Sequence, residues 1–348
     1  MHDAAYRLNG RTNYTEDVLD EYEDEIELRE AHIMGRLTRN LDLKVGRQIV
    51  VWGKSDNIRI TDVLNPLDLR EPGLTDLDDL RLPLAMTKLD YYIGNWNMAG
   101  IIVHEIRFDK IPAWGSDFYP YADPLPGEDK PSDGIDNQEY GLSLKGTFSG
   151  WDISFFFADI FWDTPHARFI GPFLPVSVEL AHARVQMLGT AFNAALGNWI
   201  VKFEAAYLDG LEWFNRPCEE YSRSDIMVGL EYYGFDQTVI TLEIADRHIH
   251  KFDSALKQPP DSLRENRPET ALRMSRTFMN ETLELEYLLF VFGFDGKDGK
   301  FQRFTSSYDL TDYTEIKGGV LLYHSGDLPE YARIGDNDRI FAEIKYSF

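Results

Sequence analysis

Gly197-Asn198-Trp199-Ile200-Val201-Lys202-Phe203-Glu204-Ala205 is a tight-turn pair followed by a strand whose two faces differ in character. Side chains along an extended chain alternate with a period of two. Trp199, Val201, Phe203 and Ala205 therefore share one face, and Lys202 and Glu204 share the other. The Gly-Asn pair supplies the positive φ angles of a two-residue hairpin. The same phrase recurs at Gly94-Asn95-Trp96 and Ser149-Gly150-Trp151, so three hairpins set a Trp at the same end. Three packed hairpins of a soluble sheet would give this local signal. A ring of amphipathic aromatics at one height is also what a membrane–water interface selects, and Trp96, Trp151 and Trp199 are candidates for such a ring.

The wider pattern decides between the two. Ile226 to Tyr232, Ile240 to Ile244, Leu283 to Val291 and Glu139 to Lys145 all pair one apolar face with one charged face. Counting such segments predicts about sixteen strands (roughly 14 to 18). They fall near 3–13, 23–37, 41–52, 82–93, 97–108, 137–149, 151–163, 177–196, 199–214, 222–233, 238–250, 269–279, 283–295, 300–310, 313–325 and 337–348. The connections alternate between short turns, such as 38–40, 94–96, 149–150 and 197–198, and longer loops, such as 53–81, 109–136, 164–176 and 251–268. Short turns on one rim and long loops on the other define the plan of an all-β, transmembrane antiparallel barrel. The final strand carries Ile340, Ala342, Ile344, Tyr346 and Phe348 on one face and ends on Phe348. This resembles the C-terminal assembly signal of bacterial outer-membrane barrels, with Tyr346 and Phe348 as its aromatic residues.

Composition agrees. The 348 residues have mildly negative mean hydropathy yet are 14% aromatic, as expected of strands with one wet face. No run of roughly 18 apolar residues offers a spanning helix. The net charge of −24 excludes nucleic acid as a partner on electrostatic grounds, and seven of its acids lie between Glu16 and Glu25. The single Cys218 excludes an internal disulfide framework and argues against a Cys-based metal site. Met1-His2-Asp3-Ala4-Ala5 has neither the basic nor the apolar region of a signal peptide. The numbering is thus expected to begin at a processed or engineered start of an exported protein.

One segment departs from ordinary barrel loops: Gly46-Arg47-Gln48-Ile49-Val50-Val51-Trp52-Gly53-Lys54-Ser55-Asp56, then Arg59, Asp62, Asn65-Pro66, Asp68, Arg70-Glu71 and Arg81-Leu82-Pro83. It resembles an uncharacterised family of proteobacterial outer-membrane barrels. Members carry GRQxVxWGxSDxxR followed by NPxDxRE. The resemblance implies an outer-membrane, porin-like barrel of unknown function; Lys54 stands where an acid is usual, and members are usually longer. Read physically, 53–81 is a charge-stitched loop folded into the barrel mouth of a single 1–348 domain. It braces the wall, sets the pore's size and charge preference, or does both.

Enzymatic chemistry finds little footing. Asp246, His248 and His250 share a strand face, but a full ligand set for a metal is not evident. No Ser–His–acid spacing stands out. Asp295 to Gly299 opens like a calcium loop but lacks its closing acid, because Ser306 stands there. No metal, cofactor or catalytic residue is predicted. The expected function is passage of a small solute down its gradient through the outer membrane. Arg59, Asp62, Asp68, Arg70 and Arg81 would line the mouth, with Lys88, Glu105 and Arg107 in the wall below. The expected partners are outer-membrane lipid, lipopolysaccharide and the barrel assembly machinery. Two alternatives remain at this point. One is transport of a hydrophobic molecule such as a lipid or steroid with periplasmic partners, hinted at by Phe290 and Phe292. The other is a plugged barrel acting as a scaffold.

Overall fold

Alternating segments with tight turns between them pair most simply with their sequence neighbours, and the chain folds accordingly. The computed structural model describes residues 27–121, 123–170 and 177–346. The first half comprises β1 (Ala31–Thr38), β2 (Leu41–Gln48), β3 (Leu84–Ile93), β4 (Trp96–Val103), β5 (Glu128–Asp129), β6 (Glu139–Phe148), β7 (Trp151–Phe161), β8 (His166–Ile170) and β9 (Ser177–Ala181). The second half comprises β10 (Arg184–Leu196), β11 (Trp199–Trp213), β12 (Arg216–Phe235), β13 (Thr238–Ile249), β14 (Asn266–Phe278), β15 (Leu283–Phe292), β16 (Gly299–Thr311), β17 (Thr314–His324) and β18 (Arg339–Tyr346). Fifteen of these form one antiparallel sheet in chain order, curled into a barrel wall. β5, β9 and β8 form a separate small sheet among the long loops. β1 and β18 are the two edges of the wall among the described residues. The expected strand over 3–13, the acidic run from Glu16 and the terminal Phe348 lie outside the described residues.

The expected loops over 109–136 and 164–176 contain the short strands β5 and β8, and two larger elements also differ from the sequence reading. The expected strand over 177–196 is two strands, broken at His182, with β9 leaving the wall to join the small sheet. The His182 ring holds the break: Nδ1 lies 2.8 Å from the Trp162 carbonyl, Nε2 lies 2.7 Å from Glu128, and the ring stacks on Phe108 at 3.3 Å. Residues 216–221, in the gap between the expected strands over 199–214 and 222–233, instead belong to β12, whose ladder with β11 runs to Trp213 and Arg216. Asp261 caps this tall hairpin, accepting the N–H groups of Phe214 and Asn215 at 3.1 and 2.8 Å.

Polarity is inverted relative to a soluble protein. Leu188 is 61% exposed and Ile226 48%, on the outer face, whereas Glu204 and Glu243 are 1% and 0% exposed on the inner face. Cross-strand register aligns the outer residues in apolar rows. Trp151, Ala194, Val201, Leu230, Leu242 and Leu272 form one row, and Ile153, Phe192, Phe203, Val228 and Ile244 form the next. Further along, Ser224, His248 and Asn266 replace the apolar residues in their row. From Trp199 to Tyr207 at about 3.3 Å per residue and about 40° of tilt, the apolar band is roughly 20 Å tall. This is close to the hydrocarbon thickness crossed by barrel strands.

Candidate functional site: a segment locked across the barrel interior

The segment between β2 and β3 enters the barrel and meets the far wall. Val50, Trp52, Ile58, Ile60, Val63 and Leu64 are buried in one cluster with inner-face residues such as Met86, Ile101, Phe156, Val185 and Met187. Trp52 stacks on Phe156 at 4.9 Å. The wall gives way to admit it: a Cβ at Gly141 on β6 would stand 3.2 Å from the Trp52 ring and 3.3 Å from Leu64.

Two wall carboxylates hold the segment's backbone. Glu204 on β11 accepts the N–H groups of Lys54 and Ser55 through Oε1, and the N–H and hydroxyl of Thr61 through Oε2. Glu243 on β13 accepts Asp56 N–H at 2.8 Å, Asn57 N–H at 3.0 Å, Ile58 N–H at 3.1 Å and the Ser55 hydroxyl at 3.0 Å. A charged acceptor surrounded by backbone donors is a strong, directional anchor at low dielectric. Gly53 makes the approach possible: its φ is +87°, and a Cβ there would stand 2.6 Å from Glu204. Lys202 adds a third tie, bonding Asp56 at 2.6 Å and Glu231 at 2.5 Å. Burial pushes the Asp56 carboxyl up despite the pull of Lys202.

Farther along, Arg303 on β16 grips the carbonyls of Gly73 and Leu74 and the carboxylates of Asp76 and Glu286. Tyr323 donates to the Pro72 carbonyl. Burial raises the Asp76 carboxyl, but Arg303, Arg273 and Lys317 outweigh it, so the group sits below its ordinary value.

The residues singled out from sequence separate into three groups. Arg59, Asp62 and Arg81 come together within the segment. Arg81 bonds Asp62 at 2.7 Å and Asp78, while Arg59 donates to the carbonyls of Asp62 and Asn65. Burial works against the Arg81 charge, yet Asp62 and Asp78 raise the guanidinium above its ordinary value. Asp68 and Arg70 pair with each other at 2.5 Å, beside the bridge from Asp68 to Lys110. Lys88 lies on the inner wall, 2.9 Å from Asp90.

Glu105 and Arg107 are not in the wall below the loop, because β4 ends at Val103. Glu105 bonds Arg47 at 2.7 Å and takes the Ala85 N–H, which removes that donor from the β-ladder. Arg107 pairs with Glu27 at 2.6 Å. Trp96, Trp151 and Trp199 lie at the short-turn rim on the outer face. Phe148 links Trp96 at 5.6 Å to Trp151 at 4.3 Å, and Trp199 lies 4.5 Å from Tyr232. Tyr346 is exposed at the end of β18. Sequence reasoning set Lys202 and Glu204 on the charged face of their strand but singled out neither of them, nor Glu243 and Arg303. Parity along a strand gives the face, whereas the loop atoms each residue meets depend on how the segment crosses the barrel.

Above the segment, two partly buried loop carboxylates lie beside the segment's residues. Asp109 accepts the Leu67 N–H at 2.6 Å, and Asp163 lies 3.8 Å from Arg59. Burial raises both, and Asp163 is raised further by the neighbouring Asp109 charge against the pull of Arg59.

The sheet, its inverted polarity and the inward segment define a large antiparallel β-barrel fold with an apolar outer face. OccK10 (OpdN) of Pseudomonas aeruginosa shares it with a TM-score of 0.51 at 9% identity, over 90% of this chain and 82% of that one. OccAB3 of Acinetobacter baumannii is similar at TM-score 0.47 and 13% identity, over 89% and 75% of the two chains. A BenF-like porin from Pseudomonas fluorescens Pf-5 gives 0.47 and 11%, over 90% and 74%. No curated protein matches the chain. The chain belongs to the family described as "Protein of unknown function (DUF1302)", which matches residues 1–348.

Proposed function

We propose that this protein is a non-enzymatic channel of the bacterial outer membrane that passes a small solute down its gradient, with the segment around 53–81 as its constriction. The supporting observation is the pairing of an apolar outer band with an inner face of charged residues, crossed by a segment that wall carboxylates fix in place. A charged inner face is compatible with water filling, and a fixed crossing segment sets the free cross-section. By the barrel plan, the short turns face the periplasm and the long loops the exterior. Lipid and lipopolysaccharide would surround the apolar band, and the barrel assembly machinery would read the terminal strand.

The hydrophobic-transport reading is less favoured, because its apolar patch is filled from within. Phe292 stacks on Tyr331 at 4.1 Å, and Phe290 stacks on Phe301 at 5.4 Å. Steady currents from the refolded protein in a planar bilayer, rising on deletion of 56–78, are the expected result. Silence from a correctly folded wild-type barrel would reject the channel.

A further inference from the structure

The inner wall on the short-turn side of the crossing segment carries a concentration of lysines that its carboxylates do not neutralise. Lys44 on β2 and Lys88 on β3 are direct cross-strand partners. Both face inward, sharing the parity of the buried Gln48 and Met86. Like charges set directly opposite each other destabilise a sheet. Lys145 on β6 enters from the same side, two strands away, opposite Asn97 on β4. Its ammonium donates to the Val51 carbonyl at 3.4 Å and lies 5.8 Å over the Phe156 ring, with no carboxylate as an ion-pair partner among the described residues. Lys54 reaches the same region from the crossing segment.

The carboxylates nearby are already engaged. Asp90 pairs with Lys88 at 2.9 Å, Asp152 with Lys54 at 3.3 Å, Asp42 with Arg36 at 3.3 Å, and Asp62 with Arg81 at 2.7 Å. Among the described residues, no carboxylate pairs with Lys44 or Lys145. The four lysines, set against Asp90 and Asp152, leave two positive charges facing the lumen.

We propose that Lys44, Lys88, Lys145 and Lys54 form a binding station for a small, multiply charged oxyanion, which makes this an anion-preferring channel; this rests on the channel reading above. Ammonium groups on flexible stems suit an anion without fixed planar geometry, since each offers three rotatable donors and a compact charge. Low-dielectric walls strengthen the attraction and raise the local anion concentration. A bound anion would also offset the like-charge opposition of Lys44 and Lys88, to which Asp90 contributes from the Lys88 side alone.

The test uses the full chain with the K44Q/K145Q double variant, whose side chains hold no ion pair and whose loss leaves the wall ladder intact. Inorganic phosphate and succinate are titrated separately against the folded protein in detergent micelles, and reversal potentials are recorded in a KCl gradient across a planar bilayer. The expected result is saturable binding weakened at least tenfold in the double variant and restored by K44R/K145R, with a several-fold drop in chloride-over-potassium preference. Phosphate-only or succinate-only binding would identify the head group. Wild-type protein that binds neither anion overturns the station, whatever its conductance. Binding without current would keep the station and reject the channel, whereas cation-preferring current without binding would keep the channel and reject the station.

Discussion

Glu243→Ala tests whether the crossing segment is held by the far wall or merely rests against it. In the native protein the Glu243 carboxylate is fully buried and takes the N–H groups of Asp56, Asn57 and Ile58 and the Ser55 hydroxyl. Ile58 N–H also has the Ser55 hydroxyl oxygen at 2.9 Å, so Asp56 and Asn57 are the donors left without a protein acceptor. Orphaning a buried donor costs about 1–3 kcal/mol, and because these two are only part-buried and water can reach them, docking weakens by roughly 1.4 kcal/mol. At about 1.4 kcal/mol per tenfold, that is on the order of a tenfold rise in the undocked population. Hydrogen exchange at the amides of Asp56 and Asn57 should accelerate by about this factor while the β11–β13 ladder keeps its protection. Single-channel recordings should show larger or noisier openings. Glu284→Ala is the control, an inward carboxylate on β15 without a bond to the segment. Unchanged exchange at Asp56 and Asn57 in a folded Glu243→Ala barrel would show that Glu243 does not anchor the segment.

Val228→Arg puts a charge on the outer apolar band and should cost about 2–4 kcal/mol in lipid. Denaturant titration in vesicles reads it, and a neutral outcome would refute the facing assignment. Gly53→Ala forces a side chain into a left-handed backbone position against Glu204. A loss of roughly 1–3 kcal/mol in local docking is expected, with faster exchange at Lys54 and Ser55, and unaltered exchange would contradict the close approach. Asp163 carries a raised carboxyl, so the folded loops bind a proton that the unfolded chain releases. That contribution is present at low pH and is lost as pH rises from the ordinary carboxylate range through the raised value. Asp163→Asn should therefore flatten the decline in loop protection as pH rises above the ordinary carboxylate range, measured by exchange corrected for its intrinsic pH dependence. A variant that kept the wild-type slope would assign the titration elsewhere.

Much of the wall was legible in the sequence, because each strand writes its environment into every second residue. Trp199 to Ala205 show lipid and lumen in alternation, and Gly94-Asn95 and Gly197-Asn198 mark their turns without reference to distant residues. Local chemistry also made 46–83 conspicuous, since Asp62 and Arg81 are too polar for an idle connection. Other features depended on meetings between residues far apart in the chain. β9 left the wall because His182 found Glu128 and Phe108, and β12 grew past its expected end because Asp261 capped the hairpin. Glu204 and Glu243 looked like any inward carboxylates until the backbone of 54–61 arrived beside them, about 150 and 187 positions earlier in the chain. Periodicity and turn chemistry act over a few residues, so the sequence by itself determined the strands and their faces. The crossing of the segment, the carboxylates that hold it and the lysines left unpaired were decided only when the curled wall brought distant residues within hydrogen-bond range.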